Sequence, residues 1–172
     1  MDRIYMEQAT LSIACGLHEV GKAAELQTTV NLHPADGIKH YEDCYADMAR
    51  WMGMDPAEKK DIPWNASSKR FMQGWYDKVL RPMEGYGIDF WWLDWQQWNN
   101  DKEFPRLSNV WWINYATFTD MERHHDTRPM LYHRWGGLGN HRYQIGFSGD
   151  AIISWKSLDF QPYYNSTASN VL

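Results

Sequence analysis

Cysteine is scarce: Cys15 and Cys44 are the only two in the chain. Two isolated thiols do not make a disulfide framework, and both are expected to be buried or half-buried and free. A basic excess is also missing. Lys and Arg number 17 against 22 Asp and Glu, for a formal net charge of −5, and no basic patch stands out, so the electrostatic footprint of a nucleic-acid binder is absent. Long apolar runs are lacking as well. Nothing approaches the length of a membrane helix, and the first twenty residues have no basic region followed by an apolar stretch, which makes a poor signal peptide. The default expectation is a cytoplasmic chain with neither nucleic-acid nor membrane partners. The glycines of "GGLGNH" have neither dinucleotide-binding nor P-loop spacing. His124, His125 and Asp126 have no further ligand at a metal-site spacing and read as a solvated helix end. No cofactor and no metal are expected.

What the chain has in abundance is aromatic side chains: 11 Trp, 10 Tyr and 6 Phe in 172 residues. Such faces stack on sugar rings or bases, and equally they fill cores. At 44% hydrophobic residues the chain is long and apolar enough for one domain with a real core. The density peaks in "GIDFWWLDWQQW", Gly87 to Trp98, a strand-like run that leads into Asp94.

The pattern predicts a helical segment over 1–25, a strand in "LQTTVNL" ending at the turn "HPADG", and a helix from Tyr41 to Met52. A polar loop follows. An amphipathic helix is predicted from Lys69 to about Glu84, with Phe71, Trp75, Val79 and Leu80 on one face. Next come a strand near 88–93, a helix capped by Ser108 and running to about His124, strands in "PMLYHRW" and "YQIGFS", and a closing helix. The strands read as apolar along their whole length, as buried parallel strands are. Strand–helix alternation argues an α/β fold with a parallel sheet. Polar residues gather just after strand ends: His33 and Asp36, Asp94 and Gln96, Arg134, Asp150. In a parallel sheet those positions share one edge, where α/β folds place their sites. Asp89 enters its strand at the opposite end and reads as structural.

Asp94 and Asp150 each follow an apolar strand and lie 56 residues apart. At about 31 residues per barrel unit this is near two units, which puts the carboxylates two strands apart on the same rim. Inward-leaning side chains could then reach the roughly 5–9 Å separation that glycoside hydrolases use. In that chemistry one carboxylate stays ionised while the other carries a proton, and burial beside aromatics raises the second pKa. Trp92 and Trp95 flank Asp94, and Phe147 precedes Asp150.

"GIDFWWLDWQQ" followed by "RPMLYHRWGGLGNHRYQIGFSGD" resembles the catalytic core of glycoside hydrolase family 31, retaining α-glycosidases and transglycosidases built on a (β/α)₈ barrel. "TTVNLHPADGI" and "SLDFQPYYNSTASNV" are similar to further segments of that family, so the resemblance runs from about Leu26 to Leu172. It implies Asp94 as nucleophile on the fourth barrel strand and Asp150 as general acid/base after the sixth. It implies Arg134 as a contact to substrate hydroxyls, and Trp92, Trp95 and Phe147 as pocket-wall aromatics. His33, where many members carry an aspartate before proline, is implied as a further substrate contact. Gln96 and Gln97 stand where better-known α-glucosidases have Asn-Glu.

The resemblance divides the chain into an N-terminal helical segment, 1–25, poorly matched to the family, and a partial (β/α)₈ barrel, 26–172. That barrel supplies about the third to sixth strands with their helices, whereas a whole one needs about 250 residues. The expected activity is hydrolysis or transfer of α-linked glycosides by double displacement, with the isolated chain inactive. The alternative is a non-catalytic barrel fragment or an aromatic carbohydrate-binding piece. Besides a carbohydrate substrate, the expected partner is a second copy, through open sheet edges.

Overall fold

The computed structural model describes residues 19–94, 100–134 and 137–170. Four strands form one parallel sheet: β1 (Thr29–Leu32), β2 (Phe90–Leu93), β3 (Leu131–His133) and β4 (Ile145–Gly146). They lie side by side in chain order. Thr29 pairs with Phe90, Trp92 with Tyr132, and Tyr132 with Ile145. The fold is mixed α/β, as the alternation of patterns predicts.

Among the described residues, besides the helical stretch 19–23, the sheet is accompanied by α1 (Tyr45–Met52), α2 (Lys69–Gly74), α3 (Arg81–Gly85), α4 (Asn109–His124) and α5 (Trp155–Ala168). Between α2 and α3 the chain widens into a π-helical turn, Trp75–Leu80, in which the Arg81 N–H reaches back to the Tyr76 carbonyl. Pro82 follows at once. Its ring crowds the preceding turn and it has no N–H to donate, and the wide turn accommodates both. The predicted amphipathic helix is therefore three pieces end to end, yet Phe71, Trp75, Val79 and Leu80 are all buried. The predicted Ser108 cap is present: its side chain accepts from the Trp111 N–H, satisfying an orphan donor of the first turn. Of the predicted 1–25 segment, residues 19–23 are helical and 1–18 lie outside the described residues.

Side chains alternate across a strand, and that period sorts the sheet's faces. Leu32, Trp91, Leu93, Leu131 and His133 are 0–1% exposed. The four apolar ones pack with Met48, Trp75, Leu80, Ile113 and Met121 into one core. Right-handed crossovers between sequential parallel strands put their helices on the same side. The other face carries Asn31, Phe90, Trp92 and Tyr132, all half-buried. The strands are thus not buried on both faces, as their apolar composition suggests. β2 alternates in burial residue by residue, because its aromatics serve two surfaces.

The turn after β1 depends on Gly37, whose φ is +67°. A β-carbon there would fall on the Ile62 carbonyl and sit 2.8 Å from the Trp64 nitrogen. This close approach lets Ile38 and Ile62 exchange backbone hydrogen bonds. At the far end of the sheet the Asp89 carboxylate accepts the Thr28 N–H at 2.7 Å, the structural role read for it.

Candidate functional site

Asp94 leaves β2 with its backbone N–H still bonded to the Leu32 carbonyl, 2.9 Å away. That bond continues the β1–β2 ladder one residue past the strand and fixes the direction of the side chain. Asp94 is 4% exposed. Asn31 Nδ2 donates to Oδ2 at 3.1 Å, and His33 Nε2 lies 3.4 Å from the same oxygen. Oδ1 accepts from Arg134 Nε. Donors on both oxygens suit an ionised carboxylate buried at a strand end.

Arg134 follows β3 directly and projects to the same side. Its second nitrogen, Nη2, donates to Asp150 Oδ2 at 2.8 Å. One guanidinium therefore bridges the two aspartates, which stand at the ends of strands two apart, with β3 between them. The Arg134 side chain is about a quarter exposed. Burial works against its charge, but the Asp94 and Asp150 carboxylates outweigh that and hold its pKa above the ordinary arginine value. Its carbon Cζ sits 4.9 Å from the centre of the Phe147 ring, a cation–π contact.

Three aromatic rings line the face below these charges. Trp92 stacks on Tyr132 with centroids 4.6 Å apart, and Phe147 meets both edge-on, at 5.7 and 6.0 Å. Burial first, and the Asp94 charge second, push the Tyr132 phenol above its usual pKa. The arrangement is an apolar wall topped by two carboxylates and an arginine.

The structure thus gathers Asp94, Asp150, Arg134, Trp92, Phe147 and His33 on one rim and one face. Trp95, Gln96 and Gln97 lie outside the described residues. Burial of Asp150 among aromatics does not hold: its side chain is 71% exposed. It follows Gly149, at φ +110°, and residues 151–156 beside it are all exposed, so no wall stands against it among the described residues. Of the helix end read as solvated, His124 and Asp126 are exposed, and only His125 is drawn inward. His124 pairs with Asp120 at 3.2 Å, and His125, only 16% exposed, pairs with Glu84 at 3.3 Å. Glu84 also accepts from Trp91 Nε1, which ties this polar cluster to the core. Cys44 is free and half-buried, with its pKa pushed up to about 12 by burial and then by Glu42. Cys15 lies outside the described residues.

Two site residues escape a reading of strand ends. Asn31 and Tyr132 each stand two positions before a rim residue, His33 and Arg134, and so share its face. The period of two along the strand was the available signal.

No protein-family model matches the chain, and no curated protein matches it significantly.

Proposed function

We propose that the chain is the catalytic segment of a retaining α-glycosidase similar to glycoside hydrolase family 31. The observation that carries this is the Arg134 bridge. Two carboxylates joined through one guanidinium are close enough for the roughly 5–9 Å window of glycosidase pairs, and they stand over a wall of Trp92, Tyr132 and Phe147 that suits the apolar face of a sugar ring.

Asp94, buried and fully engaged by donors, acts as nucleophile and forms the glycosyl ester. Asp150, more exposed, gives a proton to the leaving oxygen and then takes one from the incoming water or acceptor hydroxyl. Arg134 exchanges part of its carboxylate contact for substrate hydroxyls. Trp92 and Phe147 wall the ring, and His33 bonds a hydroxyl beside Asp94.

The fold fits a partial (β/α)₈ barrel. Sequential strand order with all crossovers on one side is what barrels require, whereas a doubly wound sheet reverses its order. β1 to β4 would be the third to sixth barrel strands, and the half-buried aromatic face would be the barrel interior. Turnover then belongs to a closed barrel, and the isolated chain is inactive, because catalytic geometry tolerates only about 0.5 Å of slack.

An α-configured cyclitol epoxide, which esterifies the nucleophile of retaining enzymes, tests the reading on a closed barrel containing residues 26–172. Peptide mapping should find the label on Asp94 and lose it in Asp94→Asn. Turnover of an α-glycoside with no label on Asp94 would refute it. A carbohydrate-binding piece without catalysis is the second reading, favoured by the intact aromatic wall. Sugar binding unchanged in Asp94→Asn and Asp150→Asn, without turnover, would select it.

A further inference from the structure

Beneath the rim, three buried polar side chains converge on a single backbone atom. The carbonyl oxygen of Arg134 accepts from His133 Nδ1 at 2.9 Å, from Asn140 Nδ2 at 3.1 Å and from Asn114 Nδ2 at 3.4 Å. They come from three places in the chain: β3, the 3₁₀ turn Asn140–Arg142, and the middle of α4. All are 0–1% exposed. Burying three polar side chains costs free energy unless each is bonded, and here the bonds are spent on one oxygen with two lone pairs.

The protonation follows from the geometry. A carbonyl cannot donate, so the contact at 2.9 Å calls for the Nδ1–H tautomer of His133, and Asn140 Nδ2 packs 3.2 Å from the same ring nitrogen. Burial holds the imidazole pKa below its ordinary value, which keeps the ring neutral near pH 7.

We propose that Asn114, His133 and Asn140 are positioning residues for Arg134: by clamping its carbonyl they fix the peptide plane that aims the guanidinium at Asp94 and Asp150. An arginine side chain is long and has many rotamers. Held at its backbone by three donors and at its guanidinium by two carboxylates and the Phe147 ring, it has one position. The β ladder holds the peptide before Arg134, where the His133 carbonyl accepts from the Phe147 N–H at 2.9 Å, and the clamp holds the carbonyl after it. A displacement of about 1 Å at a reacting group can cost on the order of 10²-fold in rate. The clamp itself stands on geometry, and its value to catalysis rests on the glycosidase reading.

The test is hydrogen exchange of the Arg134 Nε–H, followed by ¹⁵N NMR on the 172-residue chain, which needs no turnover and so fails or succeeds independently of that reading. Arg134→Lys assigns the signal. Asn140→Asp keeps the side-chain volume but replaces the donating nitrogen with an oxygen that repels the carbonyl. Exchange should be about tenfold faster or more, as expected when a local restraint opens. Met121→Ala, on the same helix as Asn114 and equally buried, lowers stability without touching the clamp and should leave the exchange rate unchanged. Asn114→Ala, removing the longest bond, should give a smaller acceleration and serves if Asn140→Asp does not fold. Equal exchange in the clamp variants and in Met121→Ala would overturn the proposal.

Discussion

Asp94 and Asp150 leave strands two apart in the sheet and are bound by the same guanidinium, Nε of Arg134 to one and Nη2 to the other. Arg134 is thus the charge that permits two carboxylates on one rim. Replacing it with Met takes from the buried Asp94 its charged donor. Loss of one partner of a buried pair costs about 3–5 kcal/mol. The exposure of Asp150 and the partial exposure of Arg134 lower this to about 2–3 kcal/mol. Urea denaturation of Arg134→Met measures it, and stability unchanged from wild type would mean the bridge contributes nothing.

Trp91 and Trp92 are neighbours in sequence and opposites in structure. Trp91 is fully buried against the helices, so Trp91→Ala should cost about 3–5 kcal/mol. Trp92 lies half-buried on the other face, and Trp92→Ala should cost about 1 kcal/mol, near the value of its stack on Tyr132. Comparable losses in the two variants would contradict the assignment of faces.

Gly37→Ala should destabilise the chain by about 2–3 kcal/mol, since it forces both a left-handed backbone and a collision with the Ile62–Trp64 backbone. His33 sits four residues upstream on the same turn, so its contact with Asp94 should loosen too. Thermal melting and the His33 ring signals report the two effects separately.

His133 makes stability depend on pH. Its folded pKa lies below the ordinary 6.5, so the unfolded chain binds the proton more readily, and stability falls as pH drops through and below 6.5. The contribution is fully present above that pH and cannot change faster than about 1.4 kcal/mol per pH unit for one proton. His133→Gln should flatten that part of the profile. Urea midpoints at pH 7.5 and 5.5 for both proteins decide the matter, and identical slopes would assign the effect to other groups.

Around α5 an apolar surface faces solvent: Ile152, Ile153, Trp155, Leu158, Phe160 and Tyr163 are all more than half exposed. Contiguous surface of this kind promotes association, and the sheet also ends in two edge strands, β1 and β4. Size-exclusion chromatography should find the chain larger than a monomer. Trp155→Ser with Leu158→Ser should shift it toward one. A monomeric wild type would exclude association through this surface.

Much of the sheet was legible from composition alone. Four apolar, β-rich segments bounded by turn residues are local signals, and so are the Ser108 cap and the helical stripe of Phe71, Trp75, Val79 and Leu80. The rim was legible for a related reason: in a parallel sheet every strand's end lies on one edge, so Asp94, Arg134 and Asp150 could be grouped without knowing their distances. What the sequence did not contain was the division of faces, because the aromatic run reads equally as core or wall. Which ring turns inward depends on register against β1 and β3, a long-range fact. Nor could it mark His133, Asn114 and Asn140. Scattered polar residues carry no periodic signal, and their meaning comes from converging on one carbonyl across up to 26 residues of chain. Local propensity and strand direction determined where the reactive edge lies, and tertiary packing alone decided that one arginine, clamped from below, would hold both carboxylates there.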